Sequence, residues 1–483
     1  MSMFTWDVVF DGKTPPPGQA VAPHERLSWG RTSGLGAQHV VAMFGATFVF
    51  PVIMGLNANL AIMMSGIATI CFLLIVKGKV PSYLGTSAAF VGGAAAIYGQ
   101  GGGPEDVTGA ILIAGIVLAL VGVVIHYLGA EVVNKVLPPV VTGAVVMLIG
   151  FNLAPVATGI YMPADPWIAI ITMTAVILMA VGLRGFLGRI AIFLGLLFGY
   201  VLSWLADIVL GGRTNAEGVT LDRVDWSKVS DAPWFGFPDK TVSGLVGNQG
   251  QVDNLDAVGW HLPSFSITFA LLVLPAVIAL VAENVGHVKA VGEMTGADLD
   301  PLMGRAVAAD GVATVIASSV GGSPTTTYAE NIGVMAATRV YSTAAYYVAA
   351  GVAILLGLVP KFGQIVNATP PAVLGGITLV LYGMIGLLGA KIWIENKVDF
   401  GNPINLVPIG AGIILAIGNG KIQVTDNFSL EGIALGTLVV VIGYHLARAI
   451  APKAGLHEGA LTVGPTGADV EDHASPHVRH QES

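Results

Sequence analysis

The chain has 483 residues, 54% hydrophobic and only 11% charged, against roughly 25% charged for a soluble domain. That balance excludes an ordinary water-soluble enzyme and leaves residence in a membrane through many spans. The net charge of −8 is spread along the sequence with few basic clusters, so nucleic-acid binding is not indicated. The single cysteine, Cys71, excludes an intrachain disulfide.

The first 35 residues, containing KTPPPGQAVAPHERLSWGRTSG, are polar and proline-bearing. They read as a soluble cytoplasmic tail with no cleavable signal peptide. A helix needs about 20 apolar residues to cross a ~30 Å hydrocarbon core. On that length, with Gly, Pro and charge breaks, spans are predicted near 36–54, 58–76, 81–98, 107–128, 138–156, 166–183, 188–210, 264–288, 304–321, 324–338, 342–359, 371–389, 403–419 and 431–450. Cys71 falls in the second as a small packing residue. With a cytoplasmic N-terminus, all Lys and Arg fall inside except Arg213, Arg223, Lys228, Lys240, Lys361 and Lys421. One missed or invented span would destroy this asymmetry, so an even count with both termini cytoplasmic is expected.

The outer segment 211–263 carries Trp226, Trp234 and Trp260. It is either a binding lid or, preferably, an interfacial cap with its indoles at headgroup level. The stretch 452–483 lacks apolar periodicity and reads as a disordered cytoplasmic tail. Its His457, His473, His477 and His480 are taken as solvated residues rather than a metal site.

The third span, opening PSYLGTSAAF, and the tenth, opening SPTTTYAENIG, begin with residues that favour extended backbone and continue as short helical stretches. Neither is long enough to cross as one regular helix. They hold the same ordinal place in a seven-plus-seven arrangement, and seven is odd, so the second half enters from the opposite side. The expected fold is therefore an all-α polytopic membrane protein built as an inverted repeat. Paired interrupted segments of this kind point to a transporter's substrate site, with half-helix N-termini directed at the ligand.

Two acids lie inside apolar runs: Glu283 in the eighth span and Glu330 at the strand-to-helix junction of the tenth. A carboxylate at membrane depth costs at least ~2.5–3.5 kcal/mol, so such groups usually face a cavity and bind or carry something. His287 follows Glu283 at i+4, on the same helix face, where a carboxyl and an imidazole can share a proton; a structural hydrogen bond locking the helix is the bland reading. An anionic substrate would want Lys or Arg, and none is mid-span. A bare metal would want more oxygen ligands. A neutral planar molecule with N–H donors beside carbonyls fits, and uracil, thymine and xanthine all have that face. Neither a metal nor a cofactor is expected beyond the proton as coupling ion, and no nucleophile stands beside His287 to suggest an enzyme. Gln38 and His39 either back the site or form satisfied core contacts. Asp310 in the ninth span either modulates a proton path or reaches the cytoplasmic interface. Tyr382 either reaches the cavity or, preferably, packs.

These residues resemble those of the nucleobase–ascorbate transporter family. Its signature, an acidic or amide residue, then N-x-G-x-x-x-x-T and a basic residue or glycine, is matched by Glu330, Asn331, Gly333, Thr338 and Arg339. AENVGH (282–287), GAQH (36–39), AMFGAT (42–47) and PSYLGTSAAF (81–90) match as well, over roughly 25–450, and the chain is most similar to the bacterial uracil permease branch. The resemblance implies a core domain (36–134 and 264–360, spans 1–4 and 8–11) and a gate domain (135–210 and 361–451, spans 5–7 and 12–14) moving against each other. It implies a homodimer joined through the gate domains in the cytoplasmic (inner) membrane, importing a pyrimidine by proton symport, with a purine such as xanthine or urate as the alternative. Glu283 and Glu330 would hold the base, His287 would partner Glu283, and Asp310 would assist proton coupling. Backbone around Ala88 and Ala329, with Tyr328, would meet the base; Gln38, His39, Asn331 and Tyr382 would support. Some uracil permeases carry Phe at the position of Ala88 and Gly at that of Ala329, so a larger base could enter here.

Overall fold

A computed structural model describes residues 5–451 except 130, 215–219, 249–250, 253, 419 and 426–427. The expected tail 452–483, with its four histidines, lies outside the described residues. Two short strands and a succession of helices fill the predicted spans. In order they are α1 (Trp29–Ile53), α2 (Ala58–Ile75), β1 (Leu84–Thr86), α3 (Ala88–Gly99), α4 (Pro104–Leu128), α5 (Pro139–Ala164), α6 (Pro166–Gly182) and α7 (Ala191–Leu210). The second half runs α8 (Ile267–Val273 continued by Pro275–Thr295), α9 (Met303–Ser318), β2 (Thr325–Thr327), α10 (Ala329–Thr338), α11 (Thr343–Gly357), α12 (Pro371–Glu395), α13 (Pro403–Ile417) and α14 (Gly432–Ile450). Each predicted span thus holds a helix or half-helix. Among the described residues, seven helices are long and apolar enough to cross a membrane by length and composition, or nine if each of two bent pairs counts as one span. One bent pair is α8, which turns by 42° where Pro275 enters, as expected of a ring that lacks an N–H and crowds the preceding turn.

The packing repeats itself. α4 lies against α9 and α2 against α11; α6 lies against α7 and α13 against α14; α5 pairs with α12. Exchanging the first seven helices for the second seven maps this set onto itself. β1 and β2 pair antiparallel, Leu84 with Thr327 and Thr86 with Thr325, as a two-fold axis in the membrane plane requires. Without a hydrophobic force between helices in lipid, small residues set how closely they approach. A Cβ on Gly122 would lie 2.2 Å from the Ala308 nitrogen, and one on Gly311 would lie 2.3 Å from the Ala119 nitrogen. Across the related contact, a Cβ on Gly66 would meet the Ala350 carbonyl oxygen at 2.4 Å.

The segment predicted as a tail is docked in its described part. Val21 N–H donates to the Arg339 carbonyl and Tyr341 N–H to the Val21 carbonyl, both at 2.9 Å, just past α10. Trp6 Nε1 donates to Thr343 Oγ1 at 2.8 Å, and Val21, Leu27 and Val340 bury one another. Edge pairing of this sort leaves no periodic signal in a proline-bearing sequence. The long segment after α7 lies over helix ends as a cap: Asn57 Nδ2 donates to the Val258 carbonyl, Gly247 N–H to that of Gly102, and His261 N–H to that of Val320. Arg223 ties it down, bonding Asp165 and Asp207 at 2.9 Å each. Trp234 remains 74% exposed, with the Lys361 ammonium 4.9 Å from its ring centre.

Candidate functional site

β1 and β2 are buried on every residue, and their backbone bonds continue past the strands. Ser87 N–H donates to the Pro324 carbonyl and Tyr328 N–H to that of Tyr83. Extended backbone inside the membrane must be satisfied within the protein, and this closed ladder does so. α3 starts at Ala88 and α10 at Ala329, so the N-termini of both half-helices leave from the same strand pair. Gly85 is required where the strands meet, since a Cβ there would lie 2.5 Å from Thr47 Oγ1 and 2.7 Å from the Tyr328 ring. Tyr328 is held in turn: its hydroxyl donates to the Thr86 carbonyl at 2.5 Å and accepts from Thr47 Oγ1 at 3.3 Å.

The structure brings Glu283 of α8, Asp310 of α9 and Glu330 of α10 near enough for the Glu283 charge to interact with both others. Glu283, Glu330, His287 and Ala88 are part-buried, whereas Ala329 and Gly286 are exposed, and nothing approaches the Gly286 position within 4 Å. The two carboxyls thus lie in largely buried surroundings, with the exposed Ala329 and Gly286 beside them. Asp310 is fully buried and does not reach an interface. Its Oδ2 accepts from Asn284 Nδ2 at 2.6 Å, and among the described residues no hydrogen bond of regular geometry reaches its Oδ1. The Thr326 hydroxyl sits beside both the Glu283 and Asp310 carboxyls without a hydrogen bond of regular geometry to either.

His287 lies one turn from Glu283 as the spacing required, but its Nδ1 is 2.7 Å from Thr327 Oγ1, and among the described residues no hydrogen bond joins it directly to Glu283. The remaining expected residues separate into two groups. Asn331 Nδ2 donates to the His39 carbonyl at 3.0 Å and lies 3.2 Å from His39 Nδ1, and the His39 ring stacks on Tyr346 at 4.4 Å. This pair fastens α10 to α1 directly behind Glu330. Gln38, part-buried on the same turn, makes no hydrogen bond to these groups. Tyr382 is buried, its hydroxyl without a hydrogen-bond partner among the described residues, in the α5–α12 crossing where Gly150 approaches its carbonyl; it packs.

Sequence reasoning singled out the Thr-Thr-Thr run only for its backbone and passed over Asn284 and Thr314. A polar amide following Glu283 in an apolar helix was the available signal. Thr314 Oγ1 donates to the Thr325 carbonyl at 3.0 Å, anchoring β2 to α9.

Half-helices meeting at an antiparallel strand pair, inside an inverted repeat, define a multi-pass membrane protein of the core-and-gate fold. The transmembrane domain of a cyanobacterium bicarbonate transporter, BicA, has the same fold, with a TM-score of 0.54 over 89% of this chain and 100% of that one at 12% identity. The model of the Permease family (Xan_ur_permease) matches residues 30–425, and the chain belongs to that family. It is 42% identical over 429 residues to the protein named "Putative pyrimidine permease RutG" of Escherichia coli (strain K12), covering 87% of this chain and 90% of that protein. It is 35% identical over 428 residues to the uracil permease of Bacillus caldolyticus, covering 86% and 92%.

Proposed function

We propose that this protein imports a pyrimidine nucleobase, uracil or thymine, by proton symport and alternating access. The observation that carries the reading is the approach of the Glu283 and Glu330 carboxyls to one another at the start of a half-helix. Carboxylates accept N–H groups, and backbone amides at the Ala88 and Ala329 helix starts can donate to carbonyl oxygens; uracil presents both in one plane. The interrupted spans 81–98 and 324–338 contain no Lys or Arg, which disfavours an anion. Uracil permeases among the relatives support the same substrate class. Small side chains at Ala88 and Ala329 leave room for xanthine or urate, the second reading.

Glu283, with His287 and Asp310, would take the coupling proton, and Glu330, Ala329, Ala88 and Tyr328 would hold the base, backed by Asn331 and His39. The core would comprise 36–134 and 264–360, with 135–210 and 361–451 as the gate. The protein would sit in the cytoplasmic membrane with both termini inside, as a homodimer through the gate. Uptake of radiolabelled uracil into proteoliposomes, with and without an imposed pH step, tests this. Uptake indifferent to the pH step removes proton coupling, and displacement of uracil by xanthine but not thymine removes the pyrimidine assignment.

A further inference from the structure

Asn284 can take only one orientation. Its Nδ2 donates to the Leu280 carbonyl at 3.0 Å and to Asp310 Oδ2 at 2.6 Å. A backbone carbonyl only accepts, so the amide nitrogen must face Leu280 and Asp310, and Oδ1 must face Thr327. Thr327 Oγ1 lies 3.2 Å from that oxygen, which only accepts; a hydroxyl turned to His287 instead would leave Asn284 Oδ1 facing a bare oxygen, so the one placement that satisfies both contacts puts the Thr327 hydrogen on Asn284. Towards His287, 2.7 Å away, Thr327 then has only lone pairs to offer. A bare Nδ1 there would set lone pair against lone pair at hydrogen-bond distance in a buried site. Thr327 is 2% exposed and Asn284 fully buried, so water cannot relieve the conflict.

We propose that Asn284 and Thr327 are positioning residues that hold His287 with its proton on Nδ1, leaving Nε2 as the one nitrogen of the ring that exchanges a proton or accepts from the substrate. The polarity runs one way: His287 Nδ1–H to Thr327, Thr327 O–H to Asn284 Oδ1, Asn284 N–H to Asp310. Whether the ring is neutral or an imidazolium, Nδ1 keeps its hydrogen. The charged or titratable groups around the ring are Glu283 on its own helix, Asp310 on α9 and Glu330 on α10. Asp310 terminates the relay as an acceptor, so the ring and the α9 carboxyl are linked through two neutral side chains that do not themselves titrate. The inference rests on the transport reading for its use, but the tautomer is a property of the protein alone.

The test is nitrogen-15 NMR of histidine-labelled protein in lipid without substrate, with the His287 signals assigned by their loss in His287→Gln. A protonated Nδ1 and a bare Nε2 in the neutral ring are expected in the wild type; a neutral ring protonated on Nε2 overturns the proposal. Thr327→Val removes the acceptor while keeping the shape. It should admit the other tautomer, displace the pH profile of uracil uptake and lower its maximum about tenfold, while Thr327→Ser restores all three. An unchanged tautomer and pH profile in properly folded Thr327→Val also overturns it. A protein with the expected tautomer that takes up no nucleobase loses the transport reading and keeps the relay.

Discussion

Asn331 donates its side-chain amide to the backbone carbonyl of His39 at 3.0 Å, so the residue next to Glu330 is what anchors that carboxylate's half-helix to α1. Removing one partner of a buried hydrogen bond costs about 1–3 kcal/mol when the other is left unpaired. Asn331→Ala should therefore lower the detergent melting temperature slightly and uracil uptake strongly. Asn331→Asp should be worse than Ala, because a carboxylate would face a carbonyl oxygen. Initial rates in proteoliposomes alongside thermal shifts check this; equal uptake by Asp and Asn would show that donation to His39 is unimportant.

Glu283 and Glu330 should separate under mutation. Glu283→Gln keeps the shape and an acceptor oxygen but cannot release a proton, so it should bind uracil and exchange it for internal uracil while losing accumulation driven by a pH step. Glu330→Ala takes away an acceptor for the base and should lose binding itself. Isothermal titration on purified protein paired with counterflow distinguishes the two. Accumulation of uracil by Glu283→Gln in response to a pH step would remove its assigned role.

The fold was largely legible because apolar segments of membrane length, Gly/Pro breaks and charge asymmetry each carry an independent physical constraint. The strand pair was foreshadowed by the Pro81 and Pro324 openings, and Glu283, His287 and Glu330 by their cost in hydrocarbon. Two things were hidden. The docking of Trp6 and Val21 against Thr343 and Arg339 depends on backbone edges and single contacts, which leave no period. The bridging of His287 to Asp310 through Thr327 and Asn284 depends on three separate elements meeting, and the i to i+4 spacing pointed instead to Glu283. Spacing along a helix constrains direction but says nothing of what another element inserts between.

The α4–α9 crossing should be intolerant of bulk. A Cβ on Gly304 would lie 2.2 Å from the His126 nitrogen, and Gly122 and Gly311 face backbone as closely. Backbone cannot swing aside as a side chain can, and overpacking costs typically ~1–3 kcal/mol per site. Gly311→Val should reduce the yield of monodisperse protein and its melting temperature, whereas Gly286→Ala, at an open position, should leave both unchanged. If Gly311→Val were as stable as wild type, the close crossing would be wrong.

His261 offers a pH prediction outside the spans. Its ring is 1% exposed, with Nδ1 2.8 Å from Thr241 Oγ1 and Nε2 3.1 Å from Thr108 Oγ1. Burial lowers its pKa below the usual 6.5, against smaller opposing effects from the Gly259 carbonyl and Glu105. The unfolded chain therefore takes up a proton at a higher pH than the folded one. Stability is full above about pH 6.5 and falls as the medium is acidified from there towards the lower folded value, below which the slope vanishes. Replacing the ring removes its share of that slope. His261→Gln should give a melting temperature lower than wild type at pH 8 but less sensitive to acidification between pH 6.5 and 5. Parallel melting curves across that range decide the matter, and a variant as acid-sensitive as the wild type would show that the outer cap draws its pH dependence from elsewhere.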